Sequence, residues 1–290
     1  MTLKVTIDAK FLSYSLGMDD RLVGLLQYFE LRARVFQAGP LCRSTHYDQA
    51  NGLGYLHVLR HGSVELRSPD HSSFQLHEPS LVMYLSPTTH ELKPIGDATE
   101  LVCASFELGA GGSNPLSTAL PEVVWIHLSE CPGMSSALEL LFGEANEQHC
   151  GRQAVLDRMM EVVFIQVLRE LMDQRRIKAG LVAGLSDLRL SKALMAVHKQ
   201  PGQSWTLEDL ALEAGMSRAR FAARFRDIVG ITPGAYLNQW RLMVAQSLLL
   251  QGKPLQLVAD KVGYASSSAL ARVFKEKVGE SPGKWARRHH

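Results

Sequence analysis

Arg226–Tyr236 reads RDIVGITPGAY, and Lys275–Trp285 reads KEKVGESPGKW. The two runs align without a gap, with Phe225 matching Phe274, Gly230 matching Gly279, Pro233 matching Pro282 and Tyr236 matching Trp285. Further upstream Leu207, Ala211 and Gly215 match Leu255, Ala259 and Gly263, so one residue is gained between the glycine of each turn and the shared phenylalanine. A segment used twice is a structural unit used twice.

Each copy has the composition of a helix-turn-helix. A small residue, Ala211 or Ala259, stands where two helices would cross, and a glycine four positions later supplies the positive φ of the turn. Ser217 in the first copy and Ser266 or Ser267 in the second are placed to cap the following helix. Thr232-Pro233 and Ser281-Pro282 put a hydroxyl cap ahead of a proline at the first helical position, so another helix starts each time. The spacing predicts helix-turn-helix units at about 207–229 and 255–278, joined by one helix from Pro233 to Leu249 with Tyr236, Leu237, Trp240, Met243 and Leu248 inward. Ahead of them, Ser186 or Asp187 caps a helix with Leu190, Ala193, Leu194 and Val197 on its apolar face, ended by Pro201-Gly202.

Helical geometry at about 100° per residue assigns the outward faces. With Phe221 and Phe225 inward, Ala219, Ala223 and Arg226 lie opposite, flanked by Arg218, Arg220 and Ala222. With Leu270 and Phe274 inward, Ser268 and Arg272 lie opposite, beside Ser267, Ala271 and Lys275. Methyl groups can meet a thymine methyl, and arginines can take phosphate or guanine; Arg272 is the first candidate for a bidentate guanine contact. The two second helices are expected in successive major grooves about 34 Å apart.

Charge supports this reading. The 290-residue chain is nearly neutral, with 31 Lys+Arg against 29 Asp+Glu. From Ser186 to His290 there are 16 Lys+Arg and 8 Asp+Glu, a net of +8; the rest has 31−16 = 15 basic and 29−8 = 21 acidic residues, a net of −6. A basic third on an acidic remainder is the asymmetry of a nucleic-acid-binding module joined to another domain. The opposite signs also raise the expectation that the acidic part docks on the basic part and masks some of its DNA-binding face. At 46% hydrophobic and 21% charged, the chain fills two cores and is not a disordered one.

The acidic part changes period along its length. Tyr55–Ser68, Ser73–Leu85 and Glu100–Leu108 are short runs rich in Val, Leu, Tyr and Phe, broken by turn signals at Asn51-Gly52, His61-Gly62, Pro69-Asp70 and Gly96-Asp97, which predicts a small antiparallel barrel or sandwich. After Pro132 the period becomes helical, over Met134–Ala145 and Arg152–Arg175; in the second run Leu156, Met159, Met160, Val163, Phe164, Val167, Leu168 and Leu171 form a wide stripe suited to core or to a dimer interface. Residues 176–184, with Gly180 and Gly184 among small residues, read as a linker. No stretch is apolar enough to span a membrane, and Lys4, Asp8 and Lys10 interrupt the start of the chain, so neither a membrane segment nor a signal peptide is expected and the cytoplasm is the expected location. Cys42, Cys103, Cys131 and Cys150 lie far apart with no CxxC, which excludes a disulfide scaffold and the usual structural zinc spacings.

The run from about Leu188 to Arg288 resembles the DNA-binding domain of the AraC/XylS transcription regulators, through Trp205-Thr-Leu-Glu-Asp-Leu-Ala, Met216-Ser-Arg-Ala-Arg-Phe, Thr232-Pro233, Tyr236-Leu, Trp240-Arg-Leu, Val262-Gly-Tyr-Ala-Ser and Ser281-Pro282. Tyr264 stands where that family often has phenylalanine, and Leu270 where it commonly has an aromatic residue, a departure that touches packing more than contact. Asp20–Leu171 is similar to the cupin-type sensor of one branch of the family, through Arg34-Val-Phe, Leu56-His-Val-Leu-Arg-His-Gly, Glu78-Pro-Ser-Leu, Pro87 to His90, Leu101-Val-Cys-Ala and Asn114-Pro-Leu. The resemblance implies a two-domain α+β protein: residues 1–180 a cupin-like sensing and dimerising domain (barrel about 20–130, helices about 133–176), 181–185 a linker, and 186–290 an all-α double helix-turn-helix domain. It also implies double-stranded DNA and RNA polymerase as partners, a homodimer, and an effector that leads to activation.

A cupin barrel can hold a metal. Enzymatic cupins usually show HxH, a glutamate and a later histidine; here the pattern is His57-x-x-x-His61 with Glu65, and residues four apart on a straight strand are about 13 Å apart, too far to share an ion. A metal-dependent cupin enzyme is therefore the weaker alternative, as is a DNA binder with no effector, which would leave the barrel idle. A different constellation remains for sensing: His57 and His90 on segments that can meet, with Cys42 and Cys103 close to them in sequence, a set suited to zinc, to a small-molecule effector or to a redox-sensitive thiol pair. Alternation over Leu101–Leu108 puts Val102, Ala104 and Phe106 on the more apolar face and Cys103 on the other. His289 and His290 receive no role.

Overall fold

The computed structural model describes residues 20–28, 31–49, 52–69, 71–108, 122–174, 177 and 179–289. Asn114-Pro-Leu and the residues ahead of Asp20 lie outside them. A short helix α1 (Val23–Tyr28) precedes seven strands: β1 (Leu31–Pro40), β2 (Thr45–Tyr47), β3 (Gly54–Ser68), β4 (His71–Leu76), β5 (Ser80–Tyr84), β6 (His90–Leu108) and β7 (Val123–His127). They form one antiparallel sheet in the order β1-β6-β3-β5-β7, with β2 paired to the start of β6 and β4 to the end of β3. The helices are α2 (Ser135–Asn146), α3 (Arg152–Asp173), α4 (Leu181–Ser186), α5 (Leu190–Lys199), α6 (Leu207–Glu213), α7 (Arg218–Val229), α8 (Pro233–Leu250), α9 (Leu255–Lys261), α10 (Ser267–Val278) and α11 (Pro282–His289). This is the expected architecture, a curled sheet followed by helices and then an all-α module.

Two expected turns are not turns. Gly96-Asp97 lies inside the 19-residue β6, and His61-Gly62 inside the 15-residue β3, where the pairing register shifts on either side of His61. Both glycines have positive φ, and a Cβ on Gly62 would come within 2.4 Å of the Ala98 carbonyl oxygen. A bulge that bends two long strands together needs the same backbone freedom as a hairpin, so composition does not separate them. Ser73–Leu85, read as one run, is β4 and β5, divided at Glu78-Pro79.

The sheet is buried on both faces, which changes the meaning of its alternation. Leu56, Val58, Leu81, Met83, Val102, Ala104 and Phe106 join the core shared with the helices, and Phe106 packs on Phe164 of α3. Tyr55, Leu59, Val82, Tyr84, Leu101 and Cys103 point the other way, into the curl of the sheet, with Tyr47, Val64, Leu66 and Leu92. The side of β6 that carries Cys103 is therefore the barrel interior. The stripe of α3 is core: Leu156, Met160, Val163, Phe164, Val167, Leu168 and Leu171 are buried, and Met159 half-buried. Helix α3 also covers the open edge of β1, since the Val35 N–H donates to Asp157 Oδ1 (2.7 Å), the Ala33 N–H to Glu161 Oε1 (3.3 Å), and Gln153 Nε2 to the Val35 carbonyl (2.7 Å). Side chains four apart on one helix face thus take the place of a further strand.

The expected linker is a correction. Leu181–Ser186 is a fully buried helix, and Gly184 serves close packing, because a Cβ there would lie 2.9 Å from both Leu194 and Val229. The amide of Gly180 donates to the Ile228 carbonyl, so the chain is already part of the DNA-binding module at that point. Small residues that suggest flexibility in a sequence also permit the closest helix contacts. Among the described residues, no helix is long and apolar enough to cross a membrane.

Candidate DNA interface and buried sensor cluster

The two helix-turn-helix units repeat in atomic detail. Ala211 and Ala259 are buried at the crossings; Gly215 and Gly263 have positive φ; the Met216 amide bonds the Ala211 carbonyl and the Tyr264 amide the Ala259 carbonyl, each at 2.9 Å. Each second helix ends at a left-handed glycine, Gly230 or Gly279, whose amide bonds a carbonyl four residues back. Caps differ between the copies. Thr206 and Asp209 form a reciprocal capping box on α6, Thr232 Oγ1 caps α8, and Ser266 Oγ caps α10, whereas Ser217 occupies the cap position of α7 without a side-chain hydrogen bond. Ahead of α5, whose cap position is Arg189, it is Asp187 and not Ser186 whose carboxylate accepts from the first amides, those of Arg189 and Leu190.

On α7, Phe221 and Phe225 are buried, while Arg218, Ala219, Arg220, Ala223 and Arg226 are exposed and Ala222 is half-buried. On α10, Leu270 and Phe274 are buried; Ser268, Arg272 and Lys275 are exposed; Ser267 and Ala271 are half-buried. Ser267 donates to Gln256 Oε1 at 2.5 Å, which ties it to α9. Among the described residues no ion pair engages Arg218, Arg220, Arg226, Arg272 or Lys275. Arg224, the other arginine of α7, is held by Asp187. Arg241 is likewise occupied, its guanidinium donating to the Pro201 and Gln203 carbonyls. A groove of about 370 Å³ runs between Leu207, Ala222, Ala223, Arg226 and the Thr232-Pro233-Gly234 start of α8. The sensor does not mask this surface, since Arg218, Ala219, Arg220, Ala223, Arg226, Ser268, Arg272 and Lys275 are exposed with both domains present.

Inside the barrel, strand pairing places His57 of β3 opposite Cys103 of β6 and Tyr47 of β2 opposite His90 of β6. His90 and Cys103 are 13 positions apart on one strand, about 40 Å if it were straight, and the bend through Gly96 returns one toward the other. His57 Nδ1 lies 3.0 Å from Cys103 Sγ and His57 Nε2 lies 2.8 Å from His90 Nε2. His90 Nδ1 lies 2.8 Å from the Thr88 carbonyl, and Tyr47 OH lies 3.7 Å from Cys103 Sγ. Tyr84 stacks on one face of His90 at 3.9 Å, Tyr47 also stacks on it at 4.7 Å, and Tyr55 is stacked with His57.

The Thr88 carbonyl orients this chain. It can only accept, so His90 carries its proton on Nδ1 and presents Nε2 as an acceptor; His57 therefore donates from Nε2 and accepts at Nδ1 from the Cys103 thiol, to which Tyr47 donates. Burial keeps every member neutral. Desolvation, with His90 beside it, holds the His57 imidazole well below the usual histidine range, lowers His90 to about 4 and pushes the Cys103 thiol up to about 12 and the Tyr84 phenol to about 12. The arrangement can relay a proton, with the Cys103 thiol directed at His57 Nδ1 and the His57 Nε2 proton directed at His90 Nε2.

Two expectations change here. Cys42 is exposed while Cys103 is fully buried, so these cysteines do not share an environment. His57 offers opposite ring nitrogens to Cys103 and His90, which prevents one ion from taking all three; no group of three or more His, Cys, Asp or Glu able to hold a metal exists among the described residues, so the expected zinc set is not assembled. His61 and Glu65 lie outside the interior, His61 exposed and Glu65 paired with Arg67. Tyr47, Tyr55, Tyr84 and Thr88 were not foreseen; the period-2 alternation of Tyr55 with His57 was the available signal.

Comparison with known proteins agrees with both halves. A cupin family model matches residues 20–173 and a helix-turn-helix domain model residues 210–288. The "RCS-specific HTH-type transcriptional activator RclR" of Escherichia coli K12 is 30% identical over 238 residues, 80% of this chain and 84% of that one. The "HTH-type transcriptional regulator AlkR" of Acinetobacter baylyi is 36% identical over 58% of this chain and 57% of its own. A crystal structure of ToxT from Vibrio cholerae aligns over 90% of this chain and 98% of its own at 15% identity, with a TM-score of 0.40. The chain belongs to the AraC/XylS family of DNA-binding transcription regulators, in the branch whose N-terminal domain is a cupin.

Proposed function

We propose that this regulator reads a long asymmetric DNA site with α7 and α10 in successive major grooves, using Arg218, Ala219, Arg220, Ala222, Ala223 and Arg226 from the first and Ser267, Ser268, Ala271, Arg272 and Lys275 from the second. The observation that carries this is the pair of structurally equivalent helices on whose outward faces Arg218, Arg220, Arg226 and Arg272 have no ion pair among the described residues. Specific complexes of this kind are steeply salt-dependent yet sequence-selective. Footprinting of the full chain on its own upstream region through a salt titration tests the reading; protection that moves freely along any DNA would defeat it. The exposed stripe of α3, Val155 and Val162 with half-buried Met159 between them, is the surface we assign to a homodimer. Sedimentation of a Val155→Glu/Val162→Glu double variant checks it. Activation through RNA polymerase and a cytoplasmic location complete the reading.

We further infer that the barrel interior is the sensing site and that its signal is a small uncharged oxidant. The interior is lined by mutually packed rings around a thiol already hydrogen-bonded to a base, which suits a reagent the size of hydrogen peroxide or hypochlorous acid better than a bulky ligand. The name of the RclR relative, "RCS-specific", points the same way. A reporter driven by the upstream region, compared in wild type and Cys103→Ser under hypochlorous acid, decides it: the variant is expected to lose the response. The cupin enzyme alternative lacks its ligand set among the described residues.

A further inference from the structure

Strand β1 carries one residue more than its partner can pair. Val35 is opposite Ala104 of β6 and Gln37 is opposite Cys103, so Phe36 between them has no position to face across the ladder. A residue inserted in this way bends its strand and re-aims a side chain. Here the ring is turned onto the barrel cluster: Phe36 lies 5.6 Å from Tyr47 and meets Tyr55 edge-on at 6.3 Å. Tyr47 is 5% exposed, Tyr55 4% and Cys103 not at all, whereas Phe36 is 46% exposed. One ring thus has a face in water and a face on the wall of the buried thiol.

The two tyrosines that Phe36 covers are those that enclose the thiol and its histidines. Tyr47 OH lies 3.7 Å from Cys103 Sγ, the Tyr47 ring stacks on His90, Tyr55 stacks along His57, and the two tyrosine rings touch each other at 5.2 Å. Other parts of the interior wall are aliphatic side chains of paired strands, Leu59, Val82, Leu92 and Leu101, all buried. A reagent entering between those would have to part the ladder. Phe36 can move without doing so. The backbone just before it is held by α3, which accepts from the Val35 N–H through Asp157 and donates to the Val35 carbonyl through Gln153. Rotation about the Phe36 side-chain bonds therefore opens the wall with the sheet intact, and an exposed side chain turns on the order of nanoseconds or faster.

We propose that Phe36 is the gate of the Cys103 site and determines which reagents reach the thiol, passing small uncharged molecules and excluding larger or charged ones. The proposal rests on the reading that the barrel interior is the sensing site. Size is filtered by the gap that one turned ring leaves beside Tyr47 and Tyr55. Charge is filtered by desolvation, because an ion entering among rings and aliphatic side chains gives up its water and meets only neutral groups there.

Thiosulfonate labelling of the full chain, read at each cysteine by mass spectrometry, tests the gate without any oxidant. Methyl methanethiosulfonate is small and neutral; its sulfonatoethyl analogue carries the same reactive group on a longer, anionic arm. Two other cysteines serve as references: Cys150 is exposed and reports the reagent, and Cys131, buried against the helices, reports unfolding. In the wild type, with both rates normalised to Cys150, Cys103 is expected to react at least about thirtyfold more slowly with the anionic reagent than with the neutral one. Phe36→Ala should bring that ratio to about threefold or less, and Phe36→Leu, which keeps an apolar side chain of lower bulk, should fall between, with Cys131 still protected in both. Trp125→Ala removes another exposed ring of the same sheet, one packed on Phe74 and His127, and should leave the ratio at its wild-type value. Equal ratios in the wild type and Phe36→Ala would overturn the gate, as would a wild-type Cys103 that neither reagent labels. So would Cys103 and Cys131 becoming reactive together, or Trp125→Ala acting like Phe36→Ala. The sensing reading fails separately: if the Cys103→Ser reporter still answers hypochlorous acid, the thiol is not the sensor, whereas the gate still stands or falls on the labelling of Phe36→Ala.

Discussion

The DNA-binding module turns most of its arginines outward and keeps its aromatic rings inside, whereas the barrel turns His57, His90, three tyrosines and Cys103 inward. Both are polar faces on regular elements, yet water decides their chemistry. Arg272 and Arg226 stand in solvent, where a guanidinium can meet phosphate or guanine; burial disfavours the charged forms of His57, His90 and Cys103, which communicate by hydrogen bonds. An outward face can be altered without touching the fold, while an inward one is part of it. The difference predicts where substitutions cost binding and where they cost stability.

The largest effect is expected in the module core. Phe225→Ala and Phe274→Ala remove equivalent buried rings from the two copies and should each destabilise the chain by about 3–5 kcal/mol. Denaturant unfolding of both variants checks it, and a much smaller loss in one copy would break the equivalence. Acid comes next and acts on the buried histidines. His90 is lowered to about 4 and His198 to about 3, and His57 is lowered as well, so between those values and about 6.5 the unfolded chain binds more protons than the folded one. Stability therefore falls as pH drops from about 6.5, by roughly 1.4 kcal/mol per unit for each group. Urea midpoints at pH 7.5 and 5.5 read this, and His90→Phe should reduce the slope; a midpoint that does not move would contradict the buried, neutral chain.

Outward substitutions should affect DNA alone. Arg272→Ala is expected to weaken binding to the specific site by about 1–3 kcal/mol, with little loss on random DNA and an unchanged melting temperature. Equal weakening on both DNAs would make Arg272 a phosphate contact. The smallest and sharpest contrast lies in the caps: Thr206→Ala should cost about 1 kcal/mol, because its capping box is formed, while Ser217→Ala should cost well under half of that, because its hydroxyl makes no helix bond. Thermal unfolding of the pair settles it.

Much of the module was legible because its information is local. The glycines at 215, 230, 263 and 279, the Thr232-Pro233 and Ser281-Pro282 starts and the phenylalanines at 221, 225 and 274 each constrain a few neighbouring residues, and the second copy repeats them. The barrel was legible only as a class. Gly62 and Gly96 carry the signature of turns and form bends inside long strands, and the linker glycine at 184 serves a tight helix contact. Strand β1 alternates Leu31, Ala33 and Val35 inward with exposed Arg32 and Arg34 until its register shifts between Val35 and Gln37, but nothing local announces that α3 side chains complete its open edge.

From the residues alone came the two-domain plan, the tandem helix-turn-helix and the outward faces of its two second helices, because helical periodicity and capping act over three to five positions. The tertiary structure alone decided which face of the sheet is the interior, that His57 links His90 to Cys103 while Cys42 stays outside, and that Gly24 closes over His198 from another domain. Those relations depend on where a strand bends and which surfaces lose water together, and neither is written in any single stretch of chain.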